Sequence, residues 1–169
     1  MATETPDAIE AAVIKVAQGV AEQARVASNW GSTEWTNQLN RQLGELGVSF
    51  GYHPCGHSCV GLKNGYGEFL WDMVWARYRD GGNLLEFTLA LEHEWGGGEK
   101  IDEDFEKLLF ARAEHRAMIF QGSDGEAHFA RLCKILDNSD YVKPGERFLL
   151  LCWWSDGFTS CVFVKGTQP

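Results

Sequence analysis

Positive charge is what this sequence has least of. Its 15 lysines and arginines face 24 aspartates and glutamates, a formal net charge of −9. Such a surface repels phosphate backbones over most of its extent, so nucleic acid would need a local basic patch, a metal bridge or a partner protein. Long apolar runs are missing too. No stretch reaches transmembrane length, and a membrane is not an expected partner. The opening MATETPD has no basic region followed by an apolar run, so no secretory signal is expected. The five cysteines (Cys55, Cys59, Cys133, Cys152 and Cys161) are odd in number and nothing marks secretion, so reduced thiols in a cytoplasmic protein are expected. Low-complexity tails and internal repeats are absent. What the chain does have is apolar bulk. Hydrophobic residues make up 44% of it, including seven Trp and ten Phe, enough for a sizeable core in a single domain over 1–169.

Periodicity organises that bulk. Residues 8–27 carry Ile9, Val13, Val16, Val20 and Ala24 at helical spacing. A second helix is predicted over 33–46, with a Ser32 or Thr33 cap, an apolar face of Trp35, Leu39, Leu43 and Leu46, and Gly47 as its end. Val48 to Tyr52 predicts a short strand, and the Gly-rich stretch His53 to Gly67 a loop or ragged hairpin. Two aromatic and β-branched runs, 67–79 and 84–95, predict strands joined by the turn Asp80-Gly81-Gly82-Asn83. Their continuous apolar character implies that both faces are covered. Beyond Gly96-Gly97-Gly98 come a helix over 102–115, a buried strand over 116–120 and a helix over about 124–138 opened by Ser123-Asp124-Gly125-Glu126. A hairpin of 147–154 and 158–164 turns through Ser155-Asp156-Gly157. The order ααβββαβαββ implies an α/β fold in which helices cover a central mixed sheet. The first helix packs either on that sheet or on a second subunit.

Charge inside the apolar strands calls for compensation. Strand alternation puts Glu86, Thr88, Ala90, Glu92 and Glu94 on one face and Leu89, Leu91, His93 and Trp95 on the other. Asp72 shares its face with Val74 and Ala76. Counting outward from the turn places Asp72 near Ala90, with Glu92 as a diagonal neighbour. Two carboxylates so placed suit Mg²⁺, which offsets their repulsion and activates water toward a phosphodiester. Without metal, at least one of the pair should have a raised pKa. The competing reading is a solvated strand end.

The order of helix 33–46, three strands, helix 102–115 and strand 116–120 resembles the αβββαβ core of the PD-(D/E)XK, or restriction-endonuclease-like, superfamily, over about residues 33–120. The first helix and the C-terminal helix plus β-hairpin are then additions to that core. The resemblance implies that Asp72 is the acid of the second core strand and Glu92 the acid of the third. Glu94 stands where the family motif has Lys, a position at which some members carry Glu. Glu34 matches the occasional extra metal-supporting acid of the first core helix. Lys107 lies on the helix from which related enzymes sometimes supply the missing Lys. The resemblance thus implies Asp72, Glu92 and Glu34 as metal ligands, Asp72, Glu92, Glu94 and Lys107 as catalytic residues, and Mg²⁺ as cofactor. By spacing alone, Lys107 reads better as a surface lysine beside Glu103 or Glu106.

His53-Pro54-Cys55-Gly56-His57-Ser58-Cys59 alternates zinc-type ligands, but structural zinc favours two separated pairs, and zinc is not expected there. A Cys–His nucleophilic pair from this segment stays open. Cys133, Cys152 and Cys161 read as core residues. His115 and Arg116 read as a solvated junction, and Arg77 and Arg79 give little sign of a DNA face. Gly96-Gly97-Gly98 lacks the Lys-Ser/Thr ending of a phosphate loop. The missing motif Lys and the acidity favour a non-catalytic interaction or regulatory protein with an unidentified protein partner, and a homo-oligomer is a candidate assembly. The alternative is a Mg-dependent nuclease or phosphodiesterase using Asp72, Glu92 and Glu94. Nucleic acid is a partner only under that alternative.

Overall fold

Among the described residues, six strands pair in chain order into a mixed sheet, and four α-helices cover its two faces. The structure, a computed structural model, describes residues 4–155 and 157–166. Met1 to Thr3 of the opening segment and Asp156 of the final turn lie outside the described residues.

The N-terminal helix α1 (Ala8–Ala27) begins at a reciprocal cap. The Asp7 carboxylate accepts from the Ile9 and Glu10 backbone N–H groups, and the Glu10 side chain accepts from the Asp7 N–H. Val13, Ala17, Val20 and Ala24 then bury its inner stripe. This helix packs on α2 (Ser32–Ser49) and on the sheet, as one of the two expected arrangements had it.

Helix α2 does not stop at Gly47. It runs to Ser49 and pushes the first strand, β1, to His53–Gly56, later than Val48 to Tyr52. Its glycines are contact points rather than breakers. A Cβ at Gly44 would meet Leu62 and Cys59 at 2.7 and 2.8 Å, and one at Gly47 would meet the Trp75 indole at 2.8 Å. Trp75 is fully buried and has nowhere to retreat. Gly47→Ala is therefore expected to cost roughly 1–3 kcal/mol. Gly19→Ala, on the exposed side of α1 with nothing within 4 Å, should instead add up to about 1 kcal/mol. Urea midpoints of the two variants check the contrast.

Strand β2 (Met73–Tyr78) is shorter than expected because residues before Met73 make only isolated bridges and Leu70 turns at φ +62°. It pairs antiparallel with β1 and with β3 (Leu84–Glu94). The turn between β2 and β3 uses Gly81 and Gly82 at φ +98° and +86°, a conformation that favours glycine. Helix α3 (Gly98–Leu109) starts and ends earlier than 102–115, because Ile101, Phe105 and Leu108 define its buried stripe. The chain is extended again from Ala113, where β4 (Ala113–Gln121) runs parallel to β3. Helix α4 (Gly125–Asn138), capped by Asp124, returns it to β5 (Arg147–Trp154), parallel to β4. Strand β6 (Gly157–Val164) closes the edge antiparallel to β5, so the final hairpin extends the main sheet.

Alternation divides the core. Met73, Trp75, Leu89, Leu91, Ala117, Ile119, Leu149 and Leu151 face α1 and α2. Val74, Ala90, Met118, Phe120, Phe148 and Leu150 face α3 and α4. No helix among the described residues is long and apolar enough to cross a membrane.

Candidate metal centres

Register brings Asp72 and Glu92 together. Irregularities at Trp75/Ala76 and Arg77/Tyr78 each add a residue on the β3 side, so Val74 pairs with Ala90 and Met73 with Leu91. Continued by one residue, this sets Asp72 across from Glu92, not near Ala90. Glu92 is buried, and its Oε1 has no hydrogen-bond partner among the described residues. Burial, then the charge of Asp72 and a hydrogen bond with it, push the Glu92 carboxyl up to about 9, with Lys107 pulling the other way. A protonated Glu92 donating to Asp72 is the stable form of this pair without a cation.

Lys107 comes to the pair from α3. Its Nζ lies 4.0 Å from Glu92 Oε1 and 2.5 Å from Asp104 Oδ1. The Asp104 hydrogen bond, more than Glu92 and against partial burial, holds its pKa above the ordinary lysine value. Its acidic neighbours are thus Asp104 and Glu92 rather than Glu103 or Glu106. Glu94 turns back on its own chain, where its Oε1 accepts from the Gly96 N–H. Glu34 stands in the first turn of α2 and accepts from Gln38 at 2.8 Å.

On the other side of β3, His93 is buried against α2. Its backbone N–H donates to Asp72 Oδ2 at 2.9 Å, its Nδ1 lies 3.1 Å from the same oxygen, and its Nε2 lies 3.2 Å from Asn40 Oδ1. The parity of His93 was readable in the sequence, but the link to Asn40 was not. Asn40 lies beside Leu39 on the buried stripe of α2, and a polar residue at such a position was the one signal available.

A second cluster sits where α1 meets the start of β4 and β5. Asp7, Glu10 and His115 each offer a ligand atom, all within 4.8 Å of one another. Asp7 Oδ2 lies 2.6 Å from His115 Nε2, while Arg147 holds Glu10 through contacts of 3.0 and 2.6 Å. Burial would push the Asp7 carboxyl up, but the Glu10 backbone N–H, His115 and Arg147 outweigh it and hold the group below its ordinary value. This Asp/Glu/His set is able to chelate a divalent metal, a cation competing with Arg147 for Glu10. The sequence did carry one trace of it. Asp7-x-x-Glu10 ahead of an apolar run is the pattern of a helix cap.

These clusters correct the expectation of a non-catalytic interaction or regulatory protein. A domain that only presents a surface has no need to bury carboxylates and an imidazole with converging ligand atoms, since burial of such groups is costly. Asp7, Glu10 and His115 form such a group and favour a catalytic or metal site. His115 and Arg116 are likewise not a solvated junction. Both are buried strand residues, with Arg116 donating to Ala111 O and Glu146 and lying over Phe148.

The His53 to Cys59 segment forms β1 and a short 3₁₀ turn. Cys55 and Cys59 point into cores on opposite faces of the sheet, and burial raises both thiols, Cys59 to about 11. Neither has the thiolate character of a nucleophile. Cys133, Cys152 and Cys161 are buried free thiols. Arg77 pairs with Glu86 on the exposed end of the β2–β3 hairpin. Comparison of the chain with protein-family models, characterised proteins and solved structures finds no match.

Proposed function

We propose that the chain is a divalent-metal-dependent phosphodiester hydrolase of the restriction-endonuclease-like kind, with its centre at Asp72 and Glu92. One observation carries the reading. Glu92 Oε1 is a buried oxygen with no hydrogen-bond partner among the described residues, beside a second carboxylate and 4.0 Å from a lysine. A buried carboxylate accepts this only at a cost unless a cation completes the site.

The donor chemistry fits. Carboxylate oxygens are hard ligands that suit Mg²⁺ or Mn²⁺, and Asp72 and Glu92 would hold the cation. When bound, such a cation polarises a phosphoryl oxygen and lowers the pKa of water. Lys107 supplies the positive charge that the motif places on the third strand, and it is partly exposed, so it can meet an incoming phosphoryl group. Glu94, at the lip of the same strand, orients water once it leaves the Gly96 N–H. The order of helix α2, strands β1 to β3, helix α3 and strand β4 supports the same family reading.

Calorimetric titration with Mg²⁺ and Mn²⁺ tests the site. Binding should disappear in Asp72→Ala and Glu92→Ala and persist in His115→Ala. Cleavage of single-stranded DNA and of bis(p-nitrophenyl) phosphate with Mn²⁺ should fall to background in Asp72→Ala and drop sharply in Lys107→Ala. Cation binding that survives both carboxylate substitutions would sink the assignment.

A further inference from the structure

Asp72 lies just outside the regular part of β2, so the backbone ladder does not fix its side chain. What fixes it comes through the sheet from the opposite face. Oδ2 takes the His93 backbone N–H at 2.9 Å and stands 3.1 Å from His93 Nδ1. The imidazole is in turn held at Nε2 by the amide of Asn40, 3.2 Å away, on the buried stripe of α2. Both side chains of this relay are more than nine-tenths buried. Resting on the metal reading of Asp72 and Glu92, we infer that His93 and Asn40 are positioning residues that lock the Asp72 carboxylate in its ligating orientation.

The chemistry of the three groups fits that role. With Oδ2 accepting the His93 backbone N–H and packed 3.1 Å from the Nδ1 of the same residue, the carboxylate cannot rotate freely about its last bond, and Oδ1 is left uncommitted to His93. An imidazole that spans a carboxylate and an amide has its ring plane set at both ends. Polar groups buried this deeply are otherwise costly in an apolar layer, here the one to which Leu39, Leu43, Leu89 and Leu91 belong. The inference also accounts for the middle residue of Glu92-His93-Glu94. Alternation sends its neighbours to one face, and His93 reaches the shared ligand from the other.

Supporting groups of this kind typically change metal affinity by about 10–100-fold when removed. Mn²⁺ titrations of the full chain should therefore show His93→Leu weakened by about that factor. His93→Asn, whose amide nitrogen falls near the Nδ1 position and can donate to Asp72, should recover most of the loss. Asn40→Ala should fall between them, and circular dichroism should show all three folded. A purely structural role for His93 would give equal affinities in His93→Leu and His93→Asn. Mn²⁺ binding that is lost in Asp72→Ala but unchanged in His93→Leu overturns the positioning role alone. Binding absent from the unaltered protein, or indifferent to Asp72→Ala, overturns the metal reading and this role with it.

Discussion

Glu92→Gln should make the metal-free protein more stable at pH 8 and flatten the fall of its stability with pH. The folded chain holds the Glu92 carboxyl at about 9, against 4.5 for an ordinary glutamate. Between those values the folded state keeps a proton that the unfolded state has released. The contribution of Glu92 is thus complete below pH 4.5 and is lost as pH rises toward 9, by about 1.4 kcal/mol for each pH unit. Glutamine is neutral throughout, and its amide can donate toward Asp72 as the protonated carboxyl does. Urea midpoints at pH 6 and pH 8 measure the difference. Across those two units the unaltered protein should lose roughly 3 kcal/mol more than Glu92→Gln. Equal losses would mean that Glu92 is already ionised in the folded chain.

The same group ties stability to function. A cation at Asp72 and Glu92 requires an ionised Glu92, so Mn²⁺ binding near pH 7 should release about one proton. Calorimetry in buffers of different ionisation enthalpy reads that number. Glu92→Gln should show neither the heat nor the proton, while being the more stable protein. Instability without the cation is what a buried ligand carries when function, rather than packing, keeps it in place.

How far the sequence carried these conclusions varied with the physics of each element. Helix α1 was readable to the residue because its apolar spacing is regular and its end falls at Ser28, which adopts a left-handed conformation. The hairpin of β2 and β3 was readable from its turn, but its register was not. Two bulges, which leave no signature in the sequence, moved Asp72 from beside Ala90 to beside Glu92. Gly47 was misread as a helix end because glycine serves equally as a terminator and as a point of close approach, and only the Trp75 indole decides between them. The candidate site divided in the same way. Asp72, Glu92 and Lys107 lie on elements whose faces periodicity assigns. Asp7, His115 and Arg147 are more than thirty positions apart along the chain, apart from the local Asp7–Glu10 cap, and only the docking of α1 on the sheet unites them.

That docking makes Arg147→Met the second large effect. Glu10 is 1% exposed and faces Arg147 at 3.0 and 2.6 Å, with the Asp7 N–H as its other donor. Removing the guanidinium leaves a buried carboxylate without its counter-charge, a change that typically costs about 3–5 kcal/mol. In the double variant Glu10→Gln/Arg147→Met the buried group is neutral, and most of that loss should return. The two variants also separate the cation question from the packing question. Arg147→Met keeps Asp7, Glu10 and His115, whose ligand atoms lie within 4.8 Å of one another, and frees them from their competitor. Added Mn²⁺ or Zn²⁺ that binds the folded form of such a site should raise the Tm of Arg147→Met with concentration by more than that of the double variant, which keeps only the Asp72 and Glu92 centre. A Tm of Arg147→Met equal to that of the unaltered protein would mean that the Arg147–Glu10 pair does not hold α1 to the sheet. An equal metal response in both variants would assign it to Asp72 and Glu92 alone, leaving Asp7, Glu10 and His115 as the clasp that holds α1 to the sheet.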